Sequence, residues 1–230
     1  MSFIKALIYF TLFGLYFHAL FEDWRRYLND DVWRILKSRD HYMFGGRTKY
    51  LTFLDLNLQL FYFFFMTICT LCECFAIEIT KLKRFCNFLF CSFAFPLGVF
   101  VFVSFWGIYF VDRELIWPKR IELIVPIYQN HIRHSLPMFG VLLDSFMSSK
   151  QYEISFLKGF IPLQIGIMCY SCWVIIIKYV TNVWAYGVLN VMTYSQLFVF
   201  YVALNILIGF LYLAGKKTNS ILWKKSLKTQ

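Results

Sequence analysis

Charged side chains are scarce in this chain: Asp, Glu, Lys and Arg together make up 16% of its 230 residues. With 60% of the residues hydrophobic, a soluble domain is excluded, because such domains carry roughly 45–50%. Acids are scarcer than bases, 13 against 23, which leaves a net charge of +10. That excess sits mostly in loops and tail, where it suits anionic lipid headgroups. No basic face carries interleaved aromatics in a soluble module, which argues against nucleic acid as a partner. No Asn-x-Ser/Thr acceptor occurs, so the sequence carries no glycosylation signal. A disulfide framework is missing too. Cys69, Cys91, Cys169 and Cys172 lie in apolar runs, where free cysteine behaves as a small hydrophobe. The cluster Cys69-x2-Cys72-x-Cys74 has no second cluster to complete a metal site, so no metal or cofactor is expected. Cys72, Cys74 and Cys86 flank apolar runs and are candidates for S-palmitoylation.

What is present is hydrocarbon and aromatic surface: 28 phenylalanines and a mean hydropathy of +0.59. A bilayer core takes about 20 apolar residues per helix. Six runs qualify, at about 3–21, 50–71, 85–111, 124–146, 156–177 and 193–215, which predicts an all-α bundle of six spans in one domain, 1–230. Lys5 mimics a signal-peptide start, yet no small-x-small cleavage site follows, so the first run stays a helix. Glu22 to Thr48 is polar, and Trp24, Leu28, Val32 and Ile35 recur at helical spacing. That stretch is either an amphipathic surface helix or a solvated extension of the first span. Pro96, mid-run, predicts a bend in the third span. The fourth run is the weakest by hydropathy, carrying Gln129, Asn130, His131, Arg133, His134 and Asp144. With it, Lys and Arg divide equally between the two faces; without it they divide unevenly, so the positive-inside rule favours five spans. The chemistry of the polar residues favours six.

That chemistry begins at Thr52, Asp55 and Gln59, which form one stripe at positions i, i+3 and i+7 of an otherwise apolar helix. A carboxylate at membrane depth is costly unless it faces a bundle interior, a partner or water. The stripe reads as the wall of a polar pocket. Alternatively, Thr52 bonds its own helix carbonyls and Asp55 reaches the interface. With six spans, the second and fourth enter from the same side, which brings Thr52 and His134 to similar depth. A hydroxyl beside an imidazole is the minimal nucleophile–base pair for acyl transfer. Asp55, Asp112 and Asn130 are available to orient the imidazole. Lys49, Arg133 and Asn57 are available as oxyanion donors. His131 lies one turn before His134, but no carboxylate or thiolate at proper spacing completes a zinc site. Depth also constrains the substrate: a lipid ester, its scissile bond away from a charged headgroup, with any free carboxylate paired to Arg47, Lys49 or Arg113.

Four blocks carry a resemblance to a known family. They are Gly45-Gly46 with Lys49-Tyr50-Leu51-Thr52-Phe53; Phe95-Pro96-Leu97-Gly98-Val99-Phe100 running on to Phe105-Trp106 and Tyr109; Asp112-Arg113-Glu114-Leu115-Ile116-Trp117-Pro118; and Asn130-His131-Ile132-Arg133-His134-Ser135. Together, in order, they resemble the androgen-induced and androgen-dependent TFPI-regulating proteins. The resemblance implies a multipass hydrolase of the endoplasmic reticulum or plasma membrane that cleaves fatty acid esters of hydroxy fatty acids. It implies an intramembrane threonine and histidine at Thr52 and His134, with membrane lipids as surroundings. Thr48 stands where the family often has an aromatic, and the first polar loop is long. A non-enzymatic lipid-binding scaffold or transporter is the rival reading; no inverted repeat with two broken helices supports a transporter.

Overall fold

The computed structural model describes residues 2–27, 44–148 and 154–223. Among them there is no strand. The first helix, α1 (Ser2–Tyr27), carries Arg25 and Arg26 in its last turn, where cations complement the negative end of the helix dipole. It takes in the start of the polar stretch as a helical extension of the first run, while Leu28, Val32 and Ile35 lie outside the described residues. A left-handed turn at Gly45 (φ 91°) then leads into α2 (Leu51–Cys74). Only glycine fits here, because a Cβ on Gly45 would lie 2.9 Å from Ile177 Cδ1 and φ is positive.

Helices α1 and α2 pack through aromatics, with the Tyr16 and Phe63 rings stacked at 5.7 Å. Each buries one stripe: Tyr9, Leu12, Tyr16 and Ala19 against Leu56, Tyr62, Phe63 and Met66. The next rod runs from Thr80 to Val111 as α3 (Thr80–Leu89), a π turn (Phe90–Ala94) and α4 (Phe95–Val111). It begins earlier than hydropathy alone indicated. Pro96 is accommodated by that π turn: it offers no N–H to the Ser92 carbonyl and its ring crowds it, and widening the turn relieves the clash. At the edge of the turn Gln59 Nε2 donates to the Ala94 carbonyl at 2.9 Å. Gly98 completes the close approach, since a Cβ there would lie 3.1 Å from the Pro137 carbonyl oxygen.

The fourth apolar run is broken. It forms α5 (Ile127–His134) and α6 (Leu136–Met147), joined at Ser135. Pro137 has no N–H for the Arg133 carbonyl, and Gln129, Asn130, His131, Arg133 and His134 all fall in α5 while Asp144 falls in α6. Among the described residues five helices, rather than the six expected, are long and apolar enough to cross a membrane: Ser2–Arg26, Leu51–Cys74, Thr80–Val111, Phe156–Thr181 and Tyr194–Trp223. The last two are α7 (Phe156–Thr181) and α8 (Tyr194–Trp223), packed at one end where Tyr212 donates to the Phe156 carbonyl at 3.0 Å. Trp223 Nε1 donates to the Ser145 carbonyl at 2.9 Å, and Lys216 Nζ to the Ile154 carbonyl at 2.8 Å. The far end of α8 therefore lies beside the end of α6 and the start of α7.

Two buried features answer questions raised by the sequence. Asp144, fully buried, is bracketed by tyrosine hydroxyls: Tyr9 donates to Oδ1 and Tyr62 to Oδ2, both at 2.5 Å. A carboxylate held this way needs no water. Cys86 is packed against Cys69, with the sulfurs 3.8 Å apart, and is shielded from acyl transfer, unlike the exposed Cys74.

Candidate functional site

Thr52 lies in the first turn of α2, and that turn is clamped from outside. Tyr170 of α7 donates to the Lys49 carbonyl at 2.8 Å. Its oxygen is 2.9 Å from the Tyr186 hydroxyl, which accepts the Leu51 N–H at 2.7 Å. With the Tyr170 proton committed to Lys49, Tyr186 must donate to Tyr170. Burial pushes the Tyr186 pKa above its ordinary value, which keeps that proton in place. Two tyrosines thus hold a helix start whose N–H groups lack intrahelical partners. The Thr52 N–H and hydroxyl have no hydrogen-bond partner among the described residues. Thr67 and Thr70, further along α2, both donate back to their own helix, to Phe63 and Met66. Thr52 does not use that outlet.

His134 is buried at the end of α5 under two aromatic rings. Phe105 stacks on it at 3.5 Å between centroids, and Trp117 meets it edge-on at 5.6 Å. Its Nδ1 faces two acceptors, Asn130 Oδ1 at 2.6 Å and the Asn130 carbonyl oxygen at 3.0 Å. A backbone carbonyl cannot donate, so Nδ1 carries a proton, and in the neutral ring the lone pair is on Nε2. That is the base-competent tautomer.

The other candidates separate. Asn130 holds His134; Asp55 and Asp112 do not. Asp55 is buried deeper on α2, with Oδ1 accepting from Gln59 at 3.0 Å. Asp112 is exposed and caps the next turn by accepting the Glu114 N–H at 2.9 Å. His131 turns outward, stacking on Trp106 and meeting Ser135 Oγ at 3.1 Å through Nδ1. Asn57 donates to the Phe53 carbonyl, and Arg113 pairs with Glu122 at 2.6 Å. Lys49 is buried with Nζ 5.5 Å from the Tyr50 ring centre, while Arg133 is paired to Asp23, which also pairs with Arg47. Asp23, Phe105, Trp117, Tyr170 and Tyr186 were not signalled by the sequence reading. Only the positions of Phe105 and Trp117 inside two of the quoted blocks pointed toward them.

Two cavities meet at Thr52. The larger, about 620 Å³, is walled by Leu54, Leu97, Phe100, Leu163, Phe198 and Leu204 from α2, α4, α7 and α8, and is almost wholly apolar. The smaller, about 410 Å³, holds His134 and several charged side chains, among them Asp23, Arg26, Arg47, Lys49 and Arg133. Thr52, Phe105, Trp184 and Tyr186 line both. The hydroxyl and the imidazole thus line one cavity, with no hydrogen bond yet joining them. A hydrocarbon chain fits the first space and a polar end fits the second.

A family model described as FAR-17a/AIG1-like protein matches residues 6–220. The androgen-induced gene 1 protein of Homo sapiens is 30% identical over 214 residues, 86% of this chain and 87% of its own. The androgen-dependent TFPI-regulating protein of Mus musculus is 28% identical over 225 residues, 93% of this chain and 95% of its own. Its counterpart in Rattus norvegicus is 30% identical over 220 residues, covering 92% and 94%. No solved structure matches the chain.

Proposed function

The chain belongs to the FAR-17a/AIG1-like family, and from that premise we propose that it is an intramembrane lipid ester hydrolase with Thr52 as nucleophile and His134 as general base. The observation that carries the reading is one pair of unused groups: a threonine hydroxyl without a partner and an imidazole Nε2 with a free lone pair, lining one cavity. In the forward step His134 Nε2 takes the Thr52 proton as Oγ attacks the ester carbonyl. The imidazolium then returns the proton to the departing alkoxide, leaving an acyl-threonine that water hydrolyses by the same base. The unpartnered Thr52 N–H, at the positive end of α2, is the donor closest in the chain to where the oxyanion forms. The acyl chain lies in the apolar cavity. Fatty acid esters of hydroxy fatty acids, the substrate class implied by the family resemblance, suit this division, and the endoplasmic reticulum is the membrane we assign.

A lipid-binding protein without turnover would use the same apolar cavity, so the deciding experiment is chemical. A fluorophosphonate probe should label the wild-type protein and not Thr52→Ala, and release of fatty acid from such an ester should vanish with it. Labelling that survives in Thr52→Ala would refute the nucleophile assignment.

We further read the chain as crossing the bilayer six times, with α5 and α6 together as the fourth crossing. The support is the Trp223–Ser145 contact, which sets the end of α8 beside the end of α6, and the Tyr9–Asp144 contact, which sets the start of α1 at that same level. Protease protection of tags at the two chain ends tests this. Tags on opposite faces would end it.

A further inference from the structure

One residue in the wall of the apolar cavity bears on how long a chain the cavity holds. Helices α7 and α8 are the least packed of the crossing helices: 17% of the most apolar stretch of each is buried, against 33%, 39% and 50% in the other three. They join at one end. Tyr212 of α8 meets the Phe156 and Phe160 rings of α7 at 5.6 and 5.5 Å, and a Cβ on Gly159 would collide with its hydroxyl. Beyond Phe160, toward Thr52, no hydrogen bond or ring contact joins the two helices among the described residues. There they flank the cavity, and Ile175 of α7 and Phe198 of α8, which line it, stay 59% and 68% exposed. The cavity thus opens toward the bilayer along a slit between α7 and α8, and hydrocarbon reaches it without crossing water.

Gly166 stands in this slit on α7. Glycine destabilises a helix interior relative to alanine, and membrane bundles use it where a neighbouring helix comes close. Gly98 and Gly159 have that use. Gly166 does not: a Cβ there would meet only Phe93 Cε1, at 3.7 Å, which is ordinary contact. Gly14 is as open, yet it lines neither cavity. At Gly166 the missing side chain leaves room inside the cavity itself. The residue lies one helical turn from Tyr170, whose hydroxyl holds the Lys49 carbonyl just before α2. That turn is about 6 Å along the axis, on the side leading toward Phe160. A chain running from Thr52 into the depth of the cavity passes Gly166 after its first few carbons.

We propose that Gly166 is a specificity-determining residue: carrying no side chain, it lets a long acyl chain run from Thr52 along the slit between α7 and α8, and so sets the chain length the site accepts. The proposal rests on the hydrolase reading for the position of the ester only. The occupant is hydrocarbon, because the lining is almost wholly apolar and the slit faces lipid. A side chain at this position acts as a stop, leaving space for a short acyl group and none for a long one, in proportion to its size.

Two readouts on full-length protein in nanodiscs test this. Hydrolysis of p-nitrophenyl palmitate and p-nitrophenyl butyrate gives a ratio of kcat/KM values in which general losses of activity cancel. That ratio should fall about fivefold in Gly166→Leu and about tenfold or more in Gly166→Phe, since each methylene denied its pocket counts severalfold. Gly14→Phe, the same side chain on an open glycine outside both cavities, should leave it within about twofold. Binding is read separately in Thr52→Ala protein, photolabelled with methyl palmitate bearing a diazirine at its last carbon, the adducts being located by mass spectrometry. Adding Gly166→Phe should cut adducts on Phe93 and Leu163 about tenfold or more. A ratio or an adduct yield that Gly166→Phe leaves within about twofold of its parent overturns the proposal, as does an equal change in Gly14→Phe. Adducts that depend on Gly166, in a protein whose wild type hydrolyses neither ester, keep the chain slot and discard the hydrolase reading.

Discussion

Two of the polar centres buried in this apolar bundle differ in what they leave over. At Asp144 both carboxylate oxygens are taken by tyrosine hydroxyls. At Thr52 and His134 the hydroxyl has no hydrogen-bond partner and Nε2 keeps its lone pair, while Nδ1 is firmly held by Asn130. Burial of polar groups in hydrocarbon is tolerated only when they are satisfied. A centre that is closed therefore reads as structure, holding α1, α2 and α6 together. A centre left open, beside two cavities, reads as chemistry. The same contrast runs along α2 itself, where Thr67 and Thr70 bond back to the helix and Thr52 does not.

The largest expected effect strikes the open centre. His134→Ala should lower ester hydrolysis by about 10²-fold or more, the scale of a lost general base. Thr52→Ala should do the same, and the double variant should be little worse than either, because the two act as one unit. Thermal unfolding in detergent should barely move for Thr52→Ala, whose hydroxyl bonds nothing among the described residues, and should fall for His134→Ala, which empties the space beneath Phe105 and Trp117. A large drop in melting temperature with Thr52→Ala would erase the distinction between the two centres.

The closed centre should behave in reverse. Tyr62→Phe removes a hydrogen bond to a buried carboxylate, worth roughly 1.5–3 kcal/mol of stability. Hydrolysis per folded molecule should stay within about twofold of wild type, a change of under about 0.5 kcal/mol. If Tyr62→Phe abolished turnover while the fold held, Asp144 would belong to the chemistry after all.

Much of this was legible in the chain before any coordinates. Hydropathy located the helices, because some 20 consecutive apolar residues have few other uses. Thr52 and His134 stood out as polar groups in runs that should not carry them. Asn130 was visible as one of three residues available to orient His134, beside Asp55 and Asp112. The rest depends on contacts between distant segments. Tyr9 and Tyr62 count as apolar in any hydropathy profile, so their hydroxyls at Asp144 give no periodic signal. Asp23 is separated from its partner Arg133 by 110 positions, Trp117 reaches His134 from outside its helix, and Tyr186 sits in a loop with no pattern of its own. The fourth run defeated a simple count for the same physical reason that makes it interesting: the residues that give it chemistry also break its apolar length into α5 and α6.

A finer contrast lies within the open centre. Asn130→Ala removes one of two acceptors at His134 Nδ1, and the Asn130 carbonyl oxygen keeps the other. The tautomer survives, so hydrolysis should fall by only about tenfold, the value of one hydrogen bond near 1.4 kcal/mol. Loss as deep as that of His134→Ala would show that the side-chain amide, not the carbonyl, holds the ring.

The smallest effect expected is at Tyr186, a closed network set directly against the open centre. Its hydroxyl accepts the Leu51 N–H and reaches Tyr170, which in turn binds the Lys49 carbonyl. Tyr186→Phe deletes the acceptor at Leu51 and keeps the ring. Water in the adjoining cavity can take over the lost bond, so the net cost is at the low end for a hydrogen bond, about 0.5 kcal/mol. The first turn of α2 should loosen without melting. Because Thr52 rides on that turn, kcat should fall two- to threefold with KM for the ester little changed, the range about 0.5 kcal/mol allows. Tyr170→Phe should act the same way, and the pair together should cost less than the sum, since breaking either link already disconnects Tyr170 from Tyr186. A Tyr186→Phe protein as inactive as Thr52→Ala would move this tyrosine from the clamp into the reaction, as a proton donor or oxyanion partner. Steady-state kinetics on the two single variants and the double variant distinguishes those roles.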